Sequence, residues 1–255
     1  MFASQPSFIG IDPTAGHRPF TYATLDGDLR LLALGEAEME DVLAFVAGQR
    51  QAFVAVCAPC RPNQGVMGHA DVREQLIPPP RPGRWSSFRV AEYLLRQHNI
   101  SCPQTPANEQ DCPAWMRMGF TLYRRLEGFG YRSYPSSDSL LQYLEIYPHA
   151  SYCAMLGRTP FPKHTLEGRI QRQLVLHNLK LHVPDPMDFF EEITTHRLLQ
   201  GILPLKQIYT PAELDALVAA YTAWLVANHT DQISTLGHPD EGHIILPVAE
   251  LKQKY

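Results

Sequence analysis

The chain has 255 residues, 45% of them hydrophobic and 19% charged, and a formal net charge of −4. That is enough apolar material for one sizeable core. The acidic balance excludes a protein that coats nucleic acid through a uniformly basic surface, so any such contact has to come from a local patch. Met1-Phe2-Ala3-Ser4-Gln5-Pro6 has neither the basic nor the apolar region of a secretory signal. No run reaches the ~18 apolar residues that a membrane span needs. Five cysteines in a chain of this size suit a reducing compartment. The expectation is a cytoplasmic protein with no disulfides and no membrane contact. No Gly/Ser linker divides the sequence, so residues 1–255 read as a single domain with an irregular insertion at about 58–138. That insertion is richest in proline between Ala58 and Trp85, at Pro59, Pro62, Pro78, Pro79, Pro80 and Pro82.

In chain order, Phe8-Ile9-Gly10-Ile11-Asp12 predicts a buried strand ending in an acid, with a turn at Pro13 to Gly16. Phe20 to Leu25 predicts a second strand and Leu29 to Leu34 a third, joined by a hairpin at Asp26-Gly27. Met39, Val42, Leu43 and Val46 recur at helical spacing, which predicts a helix over 37–49. Phe53 to Cys57 is continuously apolar, as expected of a central strand covered on both faces. Helices are expected over 89–97, 115–129 and 165–178, and a core strand over Leu140 to Tyr147. Asp185-Pro186-Met187-Asp188 has the capping chemistry of a helix running to about Gln200. Thr210-Pro211-Ala212-Glu213 is a capping box ahead of the stripe Leu214, Leu217, Val218, Tyr221 and Leu225, with Ala216, Ala219, Ala220 and Ala223 allowing close packing. Ile244 to Leu246 predicts a short last strand. An antiparallel three-strand meander followed by helices and parallel strands suits a mixed α/β sheet with helices on both faces.

Three acids stand at chemically useful places. Asp12 closes the first strand, Glu145 lies near the end of a later one, and Asp215 sits in the second turn of the late helix. Functional groups of α/β sheets gather at the carboxyl ends of strands. If the fold brings these carboxylates together, they repel unless a proton or a cation is shared, and hard oxygen donors suit Mg²⁺ or Mn²⁺. Each also has an ordinary reading: a turn residue before Pro13, an exposed strand end, an acid favoured by the helix dipole. Between Arg158 and His182 five basic residues, Arg158, Lys163, Arg169, Arg172 and Lys180, face Glu167 alone. This segment is either a phosphate-binding patch or a solvated helix face. Cys57-Ala58-Pro59-Cys60 has the spacing of a zinc or redox pair but lacks a second pair, so two unrelated thiols are the plainer reading. His149 is a candidate proton carrier on its position after Tyr147-Pro148. Nucleophile-elbow and glycine-rich phosphate motifs are absent from the sequence.

Several segments, in this order and spacing, resemble the domain-of-unknown-function family 429, a predicted-nuclease family with a ribonuclease H-like fold. They are Gly10-Ile11-Asp12, Arg89-Val90-Ala91-Glu92, Glu145-Ile146-Tyr147-Pro148-His149-Ala150, and Pro162-Lys163-His164-Thr165-Leu166-Glu167-Gly168-Arg169 with Arg172. Glu213 to Ala223 and Glu241-Gly242-His243-Ile244-Ile245-Leu246-Pro247 complete the set. The resemblance implies a ribonuclease H-like mixed sheet, with Asp12, Glu145 and Asp215 both catalytic and ligands of Mg²⁺ or Mn²⁺. It implies phosphate contacts for Lys163, Arg169 and Arg172. One departure stands out: the family often has an acid in an Asp-x-Pro pattern at the end of the central strand, where this chain has Cys57-Ala58-Pro59. The expected function is a divalent-metal-dependent nuclease with nucleic acid as partner. The alternatives are a catalytically degenerate binding protein and a small-molecule phosphate hydrolase on the same fold.

Overall fold

A computed structural model describes residues 6–14, 18–80 and 84–255. The apolar opening run forms strand β1 (Ser7–Asp12), and the aromatic and β-branched run after it forms β2 (Phe20–Leu25). The third strand, β3 (Leu31–Ala37), begins two residues later than expected. The Asp26 carboxylate accepts from the Asp28 and Arg30 backbone N–H groups, both at 2.9 Å, and this holds Asp28 to Arg30 in the turn. Helix α1 (Met39–Ala47) leads to β4 (Ala52–Val56). Then come α2 (Ala70–Gln75), α3 (Val90–Gln97), α4 (Ala114–Gly128), β5 (Arg132–Ser133) and β6 (Leu141–Glu145). Helices α5 (Pro148–Leu156), α6 (Leu166–Asn178), α7 (Asp188–Glu192), α8 (Thr195–Leu199) and α9 (Pro211–Asn228) precede the hairpin of β7 (Ser234–His238) and β8 (Gly242–Leu246).

The strands make one mixed sheet in the order β3-β2-β1-β4-β6-β8-β7, with β5 also paired to β6. β1, β2 and β3 are antiparallel neighbours, whereas β4 runs parallel to β1, and β6 parallel to β4. This is the α/β architecture expected from the sequence, and it is consistent with a ribonuclease H-like fold. Alternation along β1 divides the core. Ile9 and Ile11 pack with Val54 and Val56 against α1 and α4 on one face. Phe8 packs with Ala55 and Leu144 against α9 on the other. Because α4 helps to cover the sheet, the 58–138 region is not all peripheral.

Helix α9 explains the alanines noted in the sequence. Its capping box is formed: Thr210 Oγ1 accepts from Glu213 N at 3.2 Å, and Glu213 Oε2 from Thr210 N at 2.6 Å. It crosses β1 at Gly10, where a Cβ would lie 2.0 Å from the Ala216 carbonyl oxygen and 2.4 Å from Ala220 N. The helix therefore rides directly on the strand backbone.

Two expectations are corrected. The helix expected from Asp185 to Gln200 is two short ones, because Thr194 Oγ1 accepts from Arg197 N and caps a second start. A β-branched stretch, Ile193-Thr194-Thr195, favours such a break over continuation. Helix α5 was not expected; Pro148 supplies its first turn and its buried side chains leave no polar stripe to read. The turn expected at 13–16 falls partly outside the described residues.

Candidate functional site

Strand parity decides which acids meet. Ile11, Val56 and Glu145 are in register across β1, β4 and β6. They share the face covered by α1 and α4. Asp12 is one residue further on, so its side chain turns to the α9 face, as does Cys57. Asp215, in the second turn of α9, is buried there, and its backbone carbonyl accepts from Cys57 Sγ at 3.5 Å. Asp12 and Asp215 thus come together at the carboxyl end of β1, and Glu145 does not join them. Among the described residues no group of three or more His, Cys, Asp or Glu side chains is placed to hold one metal ion.

The electrostatics of the pair are specific. Burial, and then repulsion from Asp215, push the Asp12 carboxyl up to about 7. Lys163 opposes this by donating from Nζ to Asp215 Oδ2 at 2.7 Å. Burial disfavours the Lys163 charge, yet the attraction of Asp215 and Asp12 leaves its pKa raised. Cys57, buried beside both carboxylates, has its thiol pKa pushed well up, first by burial and then by Asp12 and Asp215, so it is held as the neutral thiol. Burial, then Arg172, lowers the pKa of His149, which also feels Asp215 and Lys163.

A pH dependence follows. An acid whose folded pKa exceeds its unfolded value binds a proton more tightly in the native state. Its contribution to stability is therefore fully present below about pH 4 and declines as pH rises towards 7. Urea unfolding of the wild type and Asp12→Asn at pH 5 and pH 7.5 should show a larger fall for the wild type over that interval. Equal falls would mean that Asp12 titrates normally.

Glu145 instead belongs to a buried ion cluster. Arg89, at the start of α3, donates from Nη1 to Glu145 Oε2 at 3.0 Å and makes a second, shorter bond from Nη2 to Glu145 Oε1. Its Nε donates to Glu92 Oε1 at 3.0 Å, and Nη1 also reaches the Glu241 carbonyl at 3.0 Å. The Glu241 carboxylate, fully buried, accepts from the backbone N–H groups of Gln64, Val66 and Val90. Glu92 also accepts from the Thr105 N–H and hydroxyl groups. The adjoining cavity has about 20 Å³ of room and is lined by Pro59, Arg89, Trp115 and Tyr147 among others. That admits a water but no substrate. Sequence reasoning marked Arg89, Glu92 and Glu241 without finding their role. The only local signal was the Arg89/Glu92 spacing of three, which suits a pair within one helical turn.

The basic segment is also committed internally. Arg169 donates to the carbonyls of Tyr209 and Ile208, at 2.7 and 2.5 Å. Arg172 is buried, donates from Nη1 to the carbonyls of Phe161 and Gly168, and lies over the Tyr152 ring. Of the three expected phosphate contacts, only Lys163 stands at the acidic pair and partly in solvent. The Cys57 and Cys60 thiols diverge: Cys60 Sγ donates to the Glu241 carbonyl at 3.5 Å, on the side of the ion cluster. They are not a zinc or redox pair, and all five cysteines are free.

Fold and site together define a mixed α/β protein with two carboxylates, Asp12 and Asp215, brought together at the carboxyl end of its first strand. The chain belongs to the family described as "Protein of unknown function (DUF429)", whose model matches residues 10–241. Those limits run from the glycine beneath α9 to the glutamate of the ion cluster. No curated protein and no solved structure matches the chain. No helix among the described residues is long and apolar enough to cross a membrane.

Proposed function

We propose that Asp12 and Asp215 hold one divalent cation, Mg²⁺ or Mn²⁺, and that the site hydrolyses phosphodiester bonds of nucleic acid. The observation that carries this reading is the meeting of the Asp12 and Asp215 carboxylates at the carboxyl end of β1, where burial and then Asp215 push Asp12 up to about 7. Two carboxylates brought together offer hard oxygen donors whose repulsion a cation relieves, which fits these metals; the rest of the shell is left to water and substrate oxygens. A cation bound there would polarise a phosphoryl oxygen and acidify a water. Asp12 and Asp215 orient that shell from two rigid supports, a strand end and a helix turn. Lys163 neutralises Asp215 in the free protein and is close enough to exchange that partner for a phosphate. The free thiols suit work in a reducing, cytoplasmic compartment.

The test is Mn²⁺ binding by electron paramagnetic resonance, followed by cleavage of single- and double-stranded oligonucleotides, for the wild type and Asp12→Asn. The wild type should bind one Mn²⁺, more tightly as pH rises through 7 because the site must lose its proton. Asp12→Asn, folded by circular dichroism, should bind at least about a hundred-fold more weakly and lose turnover. A folded Asp12→Asn with unchanged binding and rate would sink the reading. The second reading, a binding protein that has lost its chemistry, is favoured by Cys57 standing where the resemblance implies an acid. It predicts nucleic-acid binding indifferent to metal and no Mn²⁺ signal in the wild type.

A further inference from the structure

Two buried side-chain oxygens lack any hydrogen-bond partner among the described residues, Thr21 Oγ1 and Thr24 Oγ1. Both threonines lie on β2 and are almost wholly buried. A hydroxyl stripped of water and left unpaired destabilises a fold, so each such group calls for an explanation. Their surroundings differ. Thr24 is paired across the sheet with Ile9, on the apolar α1 face, where nothing charged stands opposite. Thr21 is paired with Asp12. Directly opposed residues of an antiparallel pair project from the same face, with Cβ atoms about 5 Å apart. Thr21 therefore projects from the same face as Asp12, the face where Asp215 descends from α9, with its hydroxyl unbonded to either carboxylate.

We propose that Thr21 is a positioning residue of the Asp12–Asp215 site, its hydroxyl serving as an oxygen partner for the hydrated cation. This rests on the reading that the pair holds a divalent ion. It accounts for a polar oxygen kept at a fully buried position where valine would fit the strand equally well. The hydroxyl can accept from a coordinated water or donate to Asp12, and either bond fixes the carboxylate orientation that the ion requires.

The test compares Thr21→Val with Thr24→Val and Thr21→Ser, using Mn²⁺ affinity by electron paramagnetic resonance and thermal melting of the metal-free protein. Both valine variants remove an unpaired buried hydroxyl at nearly constant shape, so each should raise Tm by about 2–4 °C. Only Thr21→Val should weaken Mn²⁺ binding, by about ten-fold or more, and Thr21→Ser should restore it. Higher stability together with lower affinity is an outcome that a purely structural role would not give. Thr21→Val with wild-type affinity overturns the assignment of Thr21 while leaving the carboxylate site standing. A wild type that binds no Mn²⁺ overturns both.

Discussion

Arg89→Met is expected to cost about 3–5 kcal/mol of stability, a large share of the roughly 5–15 kcal/mol that holds a typical domain folded. Arg89 and Glu92 are each 1% exposed and Glu145 4%. The guanidinium is the shared cation for Glu92 and Glu145 and also binds the Glu241 carbonyl. Burial works against the charge on Arg89, yet Glu145 and Glu92 hold its pKa well above the usual value. Removing it leaves two buried carboxylates facing each other without a counter-ion, which is far costlier than losing the same contacts at a surface. The cluster also ties β6, α3 and the β7–β8 turn to one another, so its loss should loosen three elements at once. Urea denaturation would read the effect. Adding Glu145→Gln to Arg89→Met should recover part of the loss, because it removes one of the stranded charges. An Arg89→Met variant within about 1 kcal/mol of the wild type would show that the cluster contributes little.

Gly10→Ala should be nearly as severe, at about 3 kcal/mol or more, although it adds a single methyl group. The Cβ would lie 2.0 Å from one backbone atom of α9 and 2.4 Å from another, and backbone cannot rotate away as a flexible side chain would. The helix has to lift off β1. Since α9 carries Asp215 and β1 carries Asp12, that shift should also separate the acidic pair. A lower Tm and weakened Mn²⁺ binding should therefore appear together in this variant. A Tm within about 2 °C of the wild type would mean that the helix accommodates the methyl group.

The separation of these two effects explains how Glu145 came to be grouped with Asp12 and Asp215 by sequence. All three lie near the ends of elements and all match the family pattern. The side-chain period of a strand is two, so a neighbouring position on β6 faces the opposite layer. Ile146, not Glu145, lies in the α9 layer, and Glu145 meets Arg89. The same holds for the basic segment. Helical spacing located Arg169 and Arg172 correctly on α6, but Arg169 donates to carbonyls some forty residues away, which nothing local encodes, and Arg172 folds back on Gly168 of its own helix and on Phe161 just ahead of it.

The sequence by itself determined the features that depend on near neighbours. The strand runs at 7–12 and 20–25, the Thr210–Glu213 capping box, the alanine faces of α9 and the acid closing β1 all follow from spacing of two, three or four residues. Only the tertiary structure decided which charges share a site. Register between β1, β4 and β6 sets the face on which each acid projects, and the crossing of α9 at Gly10 sets how near Asp215 comes to Asp12. Thr21 is the clearest case. Its sequence neighbourhood is that of an ordinary strand threonine, and it stands out only because pairing sets it opposite Asp12 while its buried hydroxyl has no partner among the described residues. Long-range pairing brings together residues that no local periodicity connects, and it is there that the dielectric and the charges of the site are set.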